Sequence, residues 1–292
     1  LQRIIGMTEP FRRRQLLCVT PTGLHRVAYL EWGDPRQERV LVCAHGLSRC
    51  ARDFDALAAA LQSHYRIASI DLPGRGESEW LKTPMEYVIP TYVNDVVTLI
   101  ARLDVEHVDF VGSSLGGVIG MALAAQPAAP IRRMVVNDAS PVVYASALER
   151  IGEYFGKAPD FASLDEAERY VRMVSAPFGP HTDAEWRFLT EHVVKPLPEG
   201  GFRMRYDPAI AVPYNAQRPF KDFDFWPLWD AVRCPTLVLR GEHSDVLPHA
   251  VAAEMTRRGP RAELVEFAGI GHGPTLLHAD QIGVVADFLM RP

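Results

Sequence analysis

The sequence predicts an α/β fold: a mostly parallel sheet covered by helices on both faces, with a helical segment inserted late in the chain. Short apolar runs rich in Val, Ile and Leu, at residues 39–44, 66–70, 107–111, 133–137, 236–240 and 263–267, read as strands buried on both faces. Helical stretches at residues 53–62, 90–103, 114–125 and 250–257 lie between them, so the first half reads βαβαβ. The alternation stops after Pro141 and resumes at Pro235.

Ahead of this pattern, residues 16–32 read as two more strands around the turn Pro21-Thr22-Gly23, an antiparallel edge to the sheet. Within the insert, Ser163-Leu-Asp-Glu166 and Thr182-Asp-Ala-Glu185 are capping-box patterns, in which hydroxyl and carboxylate satisfy orphan N–H groups at a helix start. Leu164, Ala167, Val171 and Val174 form one apolar stripe, and Ala147, Ile151, Tyr154 and Phe155 another. The segment is also rich in aromatics, among them Tyr144, Phe155, Trp186, Phe188, Tyr206, Phe225, Trp226 and Trp229. Most are expected to pack the insert together, and any that turn toward the sheet would line an apolar pocket. The expected division is a core of residues 1–140 and 230–292 and a helical lid of residues 141–229.

Composition bounds the function. At 292 residues, 48% hydrophobic and 23% charged, the chain excludes disorder, collagen and coiled coil. With 31 basic against 36 acidic residues the net charge is -5, which lacks the positive field that nucleic acid rewards, so no nucleic-acid partner is expected. Cys18, Cys43, Cys50 and Cys234 show no C-x-x-C pairing, which favours a reducing, cytoplasmic location. Residues 1–15 hold Arg12, Arg13 and Arg14 but no apolar run of signal-peptide length, and Met7 is a candidate natural start. Residues 110–131 are uncharged, yet Ser113, Ser114, Pro127 and several glycines make them a buried strand plus helix, and no membrane partner is expected.

The sharpest local signal is Gly112-Ser113-Ser114-Leu115-Gly116, a G-x-S-x-G joining an apolar run to a helix. Ser114 stands at its centre. Lifting a serine hydroxyl above a sheet edge requires so tight a turn that side chains two residues to either side would collide, and glycine removes them. A serine needs a base to take its proton and an acid to orient that base. Residues 236–240 lead into Gly241-Glu-His-Ser-Asp245, and residues 263–267 into Ala268-Gly-Ile-Gly-His272-Gly. Both segments fall at strand C-termini, where doubly wound sheets place their ligands. His272 is therefore the expected base and Asp245 the preferred acid, with Asp138, also at a strand end, as its competitor.

Other histidines receive structural readings: His278 on the closing helix, and His243 and His249 flanking Asp245 without a metal-site pattern, so no metal is expected. The oxyanion of acyl transfer needs backbone donors already in place, for which the N–H groups of Leu115, at the helix start, and Leu47, after His45-Gly46, are expected. Gly269-Ile-Gly271-His-Gly273 has too little chain after it for a dinucleotide-binding unit, and there is no Walker A sequence, so no cofactor is expected. Asp71-Leu-Pro-Gly74-Arg-Gly76-Glu-Ser78 reads as a structural turn.

Together these residues resemble the α/β-hydrolase superfamily over nearly the whole chain. His45-Gly46 is similar to its oxyanion loop, Asp71 to Ser78 to its D-x-x-G-x-G-x-S turn, and Gly112 to Gly117 to its nucleophile elbow. Gly241 to Pro248 and Gly271-His272 look like its acid and histidine segments. The resemblance implies the α/β-hydrolase fold: an eight-stranded, mostly parallel sheet with a helical cap inserted after the sixth strand. One departure stands out: many relatives carry the acid three residues after the glycine, where this chain has Ser244, with Asp245 one place later.

Serine at 114 argues against dehalogenases and epoxide hydrolases, which attack with an aspartate at the elbow. The resemblance then implies a serine hydrolase of ester, thioester or lactone bonds in small, largely apolar substrates, working through an acyl-serine intermediate. Carbon-carbon bond hydrolases of the meta-cleavage type share the triad and cap, and Gly-Ser-Ser-Leu-Gly-Gly is similar to theirs. Many of them place an aromatic directly after the histidine, where this chain has Gly273-Pro274. A non-catalytic small-molecule receptor is the alternative from another class.

Overall fold

Strand formation follows the burial pattern of the sequence in a computed structural model that describes residues 10–291; the candidate start Met7 lies outside the described residues. β1 (Arg12–Thr20) and β2 (Gly23–Trp32) form a hairpin closed at Thr20 and Gly23. β3 (Val40–Ala44), β4 (Arg66–Ile70), β5 (Val108–Ser113) and β6 (Ile131–Asn137) follow, with α1 (Asp55–Leu61), α2 (Ile89–Leu103) and α3 (Leu115–Ala124) as their crossovers. Each crossover joins parallel strands, which a tight turn cannot do.

The chain leaves the sheet after β6. The segment that follows holds β7 (Val142–Val143), α4 (Ala145–Gly152), β8 (Asp160–Phe161), α5 (Leu164–Val174), α6 (Asp183–Val193), β9 (Val194–Pro196), β10 (Phe202–Met204), α7 (Ala211–Asn215), β11 (Phe223–Asp224) and α8 (Trp226–Ala231). Besides the helices expected of the insert, the segment holds short strands that were not expected: β8, β10 and β9 form a small sheet, and β11 pairs with β7. Thr182 and Glu185 make the full capping box at α6, whereas at α5 Glu166 reaches back to the N–H of Ala162 instead of Ser163. Ala167 and Val171, from the predicted stripe, are the buried residues of α5.

β12 (Thr236–Gly241), α9 (His249–Met255), β13 (Glu263–Phe267) and α10 (Ala279–Leu289) complete the core. The eight-stranded sheet has the order β1-β2-β4-β3-β5-β6-β12-β13, antiparallel at β1-β2 and β2-β4 and parallel elsewhere. Pleating divides its side chains: Val40, Val42 and Ala44 pack with α2 and α3 residues such as Leu99 and Ile119, while Leu41 and Cys43 pack with Leu57, Leu61 and Phe288 of α1 and α10.

The register positions the site. Ala44 lies beside Gly112, Ser113 beside Asn137, Leu239 beside Asn137, and Gly241 beside Phe267. The loops after β3, β5, β6, β12 and β13 therefore open on one edge of the sheet. The strand order reverses at β3 and β5, the switch point that leaves a crevice between neighbouring loops. No helix among the described residues is long and apolar enough to cross a membrane.

Trp229 ties the end of the insert to the core. It is fully buried, and its indole N–H donates to the Arg258 carbonyl at 3.2 Å. Trp229→Ala is expected to destabilise the protein by about 3–5 kcal/mol, the usual cost of a large aromatic cavity. Urea unfolding checks this, and a loss below about 1 kcal/mol would mean that the neighbours collapse into the space.

Candidate active site

The site begins with a bend. Ser114, between β5 and α3, has φ 51° and ψ -113°, a conformation that an L-residue holds only when its surroundings fix it. The Ser114 N–H donates to the Asn137 carbonyl at 2.9 Å, pinning the bend to the neighbouring strand. A Cβ on Gly112 would stand 2.2 Å from the Gly116 carbonyl oxygen, and one on Gly116 would stand 1.9 Å from that of Ala44. The glycines thus make room, but against backbone rather than against each other's side chains.

His272 arrives from the loop after β13, and its Nε2 lies 2.9 Å from Ser114 Oγ. The carboxylate on the other side of the ring is Asp138, whose Oδ1 lies 3.7 Å from His272 Nδ1. That separation is an ion-pair distance longer than a hydrogen bond, but Nδ1 has no other partner among the described residues. Catalytic contacts in unliganded sites are often long and tighten around substrate. Asp138 is fully buried and accepts from Gly273 N–H (2.8 Å), Gly241 N–H (3.3 Å) and the Ser244 hydroxyl (2.7 Å).

The preference for Asp245 is corrected by this geometry. Asp245 is turned outward, half exposed, and accepts two hydrogen bonds from Arg150 of α4, at 2.5 and 3.1 Å. Ser244 fills the place where relatives carry the acid, and its hydroxyl donates to Asp138. The remaining histidines stay away from the chemistry. His243 and His249 are exposed beside Glu242 and Glu266, and His278 precedes the first residue of α10 with its ring near Glu185.

Leu47 lines the cavity above Ser114, and Leu115 opens α3, where the first N–H groups of a helix lack intrahelical partners. Two buried side chains hold the Leu47 loop: His45, in the segment expected to be the oxyanion loop, and Arg75, in the turn read as structural. His45 donates from Nδ1 to the Gly46 carbonyl (2.7 Å), while its Nε2 accepts from Leu72 N–H (3.0 Å), which fixes the neutral tautomer. Burial pushes this imidazole down to about 3, with Arg75 and Arg49 nearby acting in the same direction. Arg75, buried in the turn after β4, donates from Nε to the Leu47 carbonyl at 2.9 Å and from Nη1 to Pro73 O and Tyr92 Oη. Asp71 closes that turn through the N–H groups of Ala51 and Glu77, and its burial raises its carboxyl to about 6. Asn137 is the other contributor the motifs do not mark: its amide donates to Ser113 Oγ and the Pro274 carbonyl, bracing the segment after His272.

Above these groups is a cavity of about 140 Å³. Its floor is Gly46, Leu47, Ser114 and His272, and its roof comes from the insert: Ile151, Tyr154, Tyr170, Phe178, Met204 and Tyr206. Of the aromatics singled out in the sequence, Tyr206 lines it, whereas Trp186 and Trp229 pack elsewhere. Away from the cavity, the donor atoms of Cys18, His25 and Asp95 lie within 4.8 Å of one another. His25 and Asp95 already share a 3.0 Å hydrogen bond, and burial raises the Cys18 thiol far from the thiolate that would bind a metal.

The alpha/beta hydrolase family model matches residues 41–288. Over 280 residues the chain is 45% identical to a 3-hydroxybutyrate-oligomer hydrolase of Cupriavidus necator, covering 93% of this chain and 95% of that protein. It is 25% identical over 272 residues to a bifunctional esterase/perhydrolase of Acinetobacter calcoaceticus, covering 88% and 92% of the two chains. Among solved structures, an alpha/beta hydrolase from Novosphingobium aromaticivorans superposes with a TM-score of 0.86 at 35% identity, over 98% of this chain and all of that one.

Asp138→Asn is expected to lower kcat for the neutral ester p-nitrophenyl butyrate by about four decades, as when a triad histidine loses its orienting acid, while Asp245→Asn leaves kcat for that same neutral ester within about threefold; comparable losses in both would reject the assignment. His45 has its pKa depressed on folding, so the unfolded chain takes up a proton that the folded chain refuses, and its contribution to stability falls as pH drops from about 6.5 toward 3. The stability advantage of the parent protein over His45→Asn should therefore narrow between pH 7 and pH 4 in urea titrations, and a constant gap would contradict a neutral buried ring.

Proposed function

The chain belongs to the alpha/beta hydrolase family, and on that premise we propose that it is a carboxylic ester hydrolase using Ser114, His272 and Asp138, with short oligomers of a hydroxy acid as substrates. The observation that carries this is the 2.9 Å contact between Ser114 Oγ and His272 Nε2 at the floor of the cavity. The hydroxyl attacks the ester carbonyl as Nε2 takes its proton, and the buried Asp138 carboxylate stabilises the imidazolium that forms. The tetrahedral oxygen is received by the N–H groups of Leu47 and Leu115, each worth about 2.7–4 kcal/mol of barrier in comparable sites. Collapse expels the alcohol with the proton from His272, leaving acyl-Ser114. Water then attacks, giving its proton to the same nitrogen, and the acid is released.

The substrate class is supported by similarity to the 3-hydroxybutyrate-oligomer hydrolase of Cupriavidus necator and by a cavity that suits a short, weakly polar chain. Ser114→Ala is expected to abolish hydrolysis of p-nitrophenyl butyrate and of 3-hydroxybutyrate dimer while leaving the thermal midpoint within a few degrees. A fluorophosphonate should label Ser114 once per chain, as read by peptide mass spectrometry. Retained activity in the alanine variant, or an adduct elsewhere, would remove the mechanism. Cleavage of a vinylogous diketone acid with every ester untouched would replace it with carbon-carbon hydrolysis.

A further inference from the structure

The cavity carries a charge that the hydrolytic mechanism does not use. Arg49 and Asp53 both line it and neutralise one another in a 2.6 Å pair. Arg150 also lines it, but its counter-ion, Asp245, lies outside the lining. Asp245 takes the Nε and Nη2 positions of the guanidinium, leaving Nη1 free of any carboxylate among the described residues. Tyr154, four residues along from Arg150 and also in the lining, places its phenol against the same guanidinium. The roof of an otherwise largely apolar cavity thus presents a held cation with a hydroxyl beside it.

We propose that Arg150, held by Asp245 and flanked by Tyr154, recognises a free carboxylate on the substrate, so that the cavity selects anionic esters over neutral ones. The proposal rests on the ester-hydrolase reading of the same cavity and adds to it the charge of the substrate. An oligomer of a hydroxy acid has a hydroxyl end and a carboxylate end, and hydrolysis in the middle leaves the carboxylate on the departing alcohol. A cation on the roof of the cavity that holds Ser114 suits that end of the chain. Asp245 has two effects on the guanidinium: it fixes the orientation, and it lowers the net charge, which keeps the arginine from holding the anionic product too tightly.

The test uses Ser114→Ala protein, which binds without turnover, titrated calorimetrically with 3-hydroxybutyrate dimer and with the same dimer carrying a carboxamide in place of the carboxylate. The acid is expected to bind about tenfold more tightly than the amide, the scale of one charge-assisted hydrogen bond. Adding Arg150→Gln should bring the two affinities within about twofold of each other, chiefly by weakening the acid. The ratio in the protein that retains Arg150 tests the proposal without the second substitution. Equal binding of acid and amide, binding of neither at millimolar concentration, or a preference that survives Arg150→Gln would each overturn it. Turnover of the dimer by the unmodified protein is measured alongside: turnover without charge preference rejects the role of Arg150 alone, and Arg150-dependent preference without turnover rejects the ester-hydrolase reading alone.

Discussion

The site depends on one close approach, the carbonyl of Ala44 meeting the Cα of Gly116 with no space for a side chain. That contact joins the end of β3 to the start of α3, and it holds Ser114 in a bend that the isolated peptide would abandon. The parallel register is its precondition, because Ala44 pairs with Gly112 and Ser113 with Asn137. With these strands aligned, the Leu47 loop, Ser114 and Asp138 arrive at one level of the sheet. The strain at Ser114 is carried by strands whose side chains are buried on both faces, so rigid packing sets the position of a reactive group.

Around that bend, three buried polar groups serve mainly to hold backbone. His45 and Asp71 spend their hydrogen-bonding capacity on main-chain atoms of the loops beside the cavity, and Arg75 does so apart from the Tyr92 hydroxyl. A buried polar group left unpaired costs about 1–3 kcal/mol, so each of these contacts resists a change of loop conformation. In the proposed mechanism, the Leu47 loop held in this way would have its N–H donor in place before substrate arrives, which is where electrostatic preorganisation has its effect.

The sheet was legible because doubly buried strands read as unbroken apolar runs, and the elbow because its glycines answer a steric demand that few other sequences share. The small strands of the insert were not, since Val142–Val143 and Asp160–Phe161 are too short to show any alternation. Which aspartate lies beside His272 was not legible for a different reason. Asp138 and Asp245 both follow strands of the same sheet, and sequence gives the loop without the direction of the side chain. The departure at Ser244 held the missing signal: a hydroxyl where relatives place the acid can donate to a carboxylate arriving from the adjacent strand, as it does to Asp138. Which insert aromatics turn toward Ser114 was likewise invisible, because it depends on how helices dock rather than on their periodicity.

The two aspartates show why location matters more than residue type. Two unit charges about 4 Å apart attract by about 1 kcal/mol in bulk water and by about 4 kcal/mol where the effective dielectric constant is near 20. Asp138, sealed from solvent and fixed by three donors, acts on His272 in the second regime. Asp245 and Arg150, both partly exposed, form an ion pair that solvent screens and side-chain entropy opposes, of the kind that contributes about 0–1 kcal/mol. A weak pair is poor at holding a fold together but easily shared with an incoming anion. The strong site is therefore suited to stabilising charge that appears during reaction, and the weak one to holding a guanidinium whose remaining N–H groups can meet a charge that the substrate already carries.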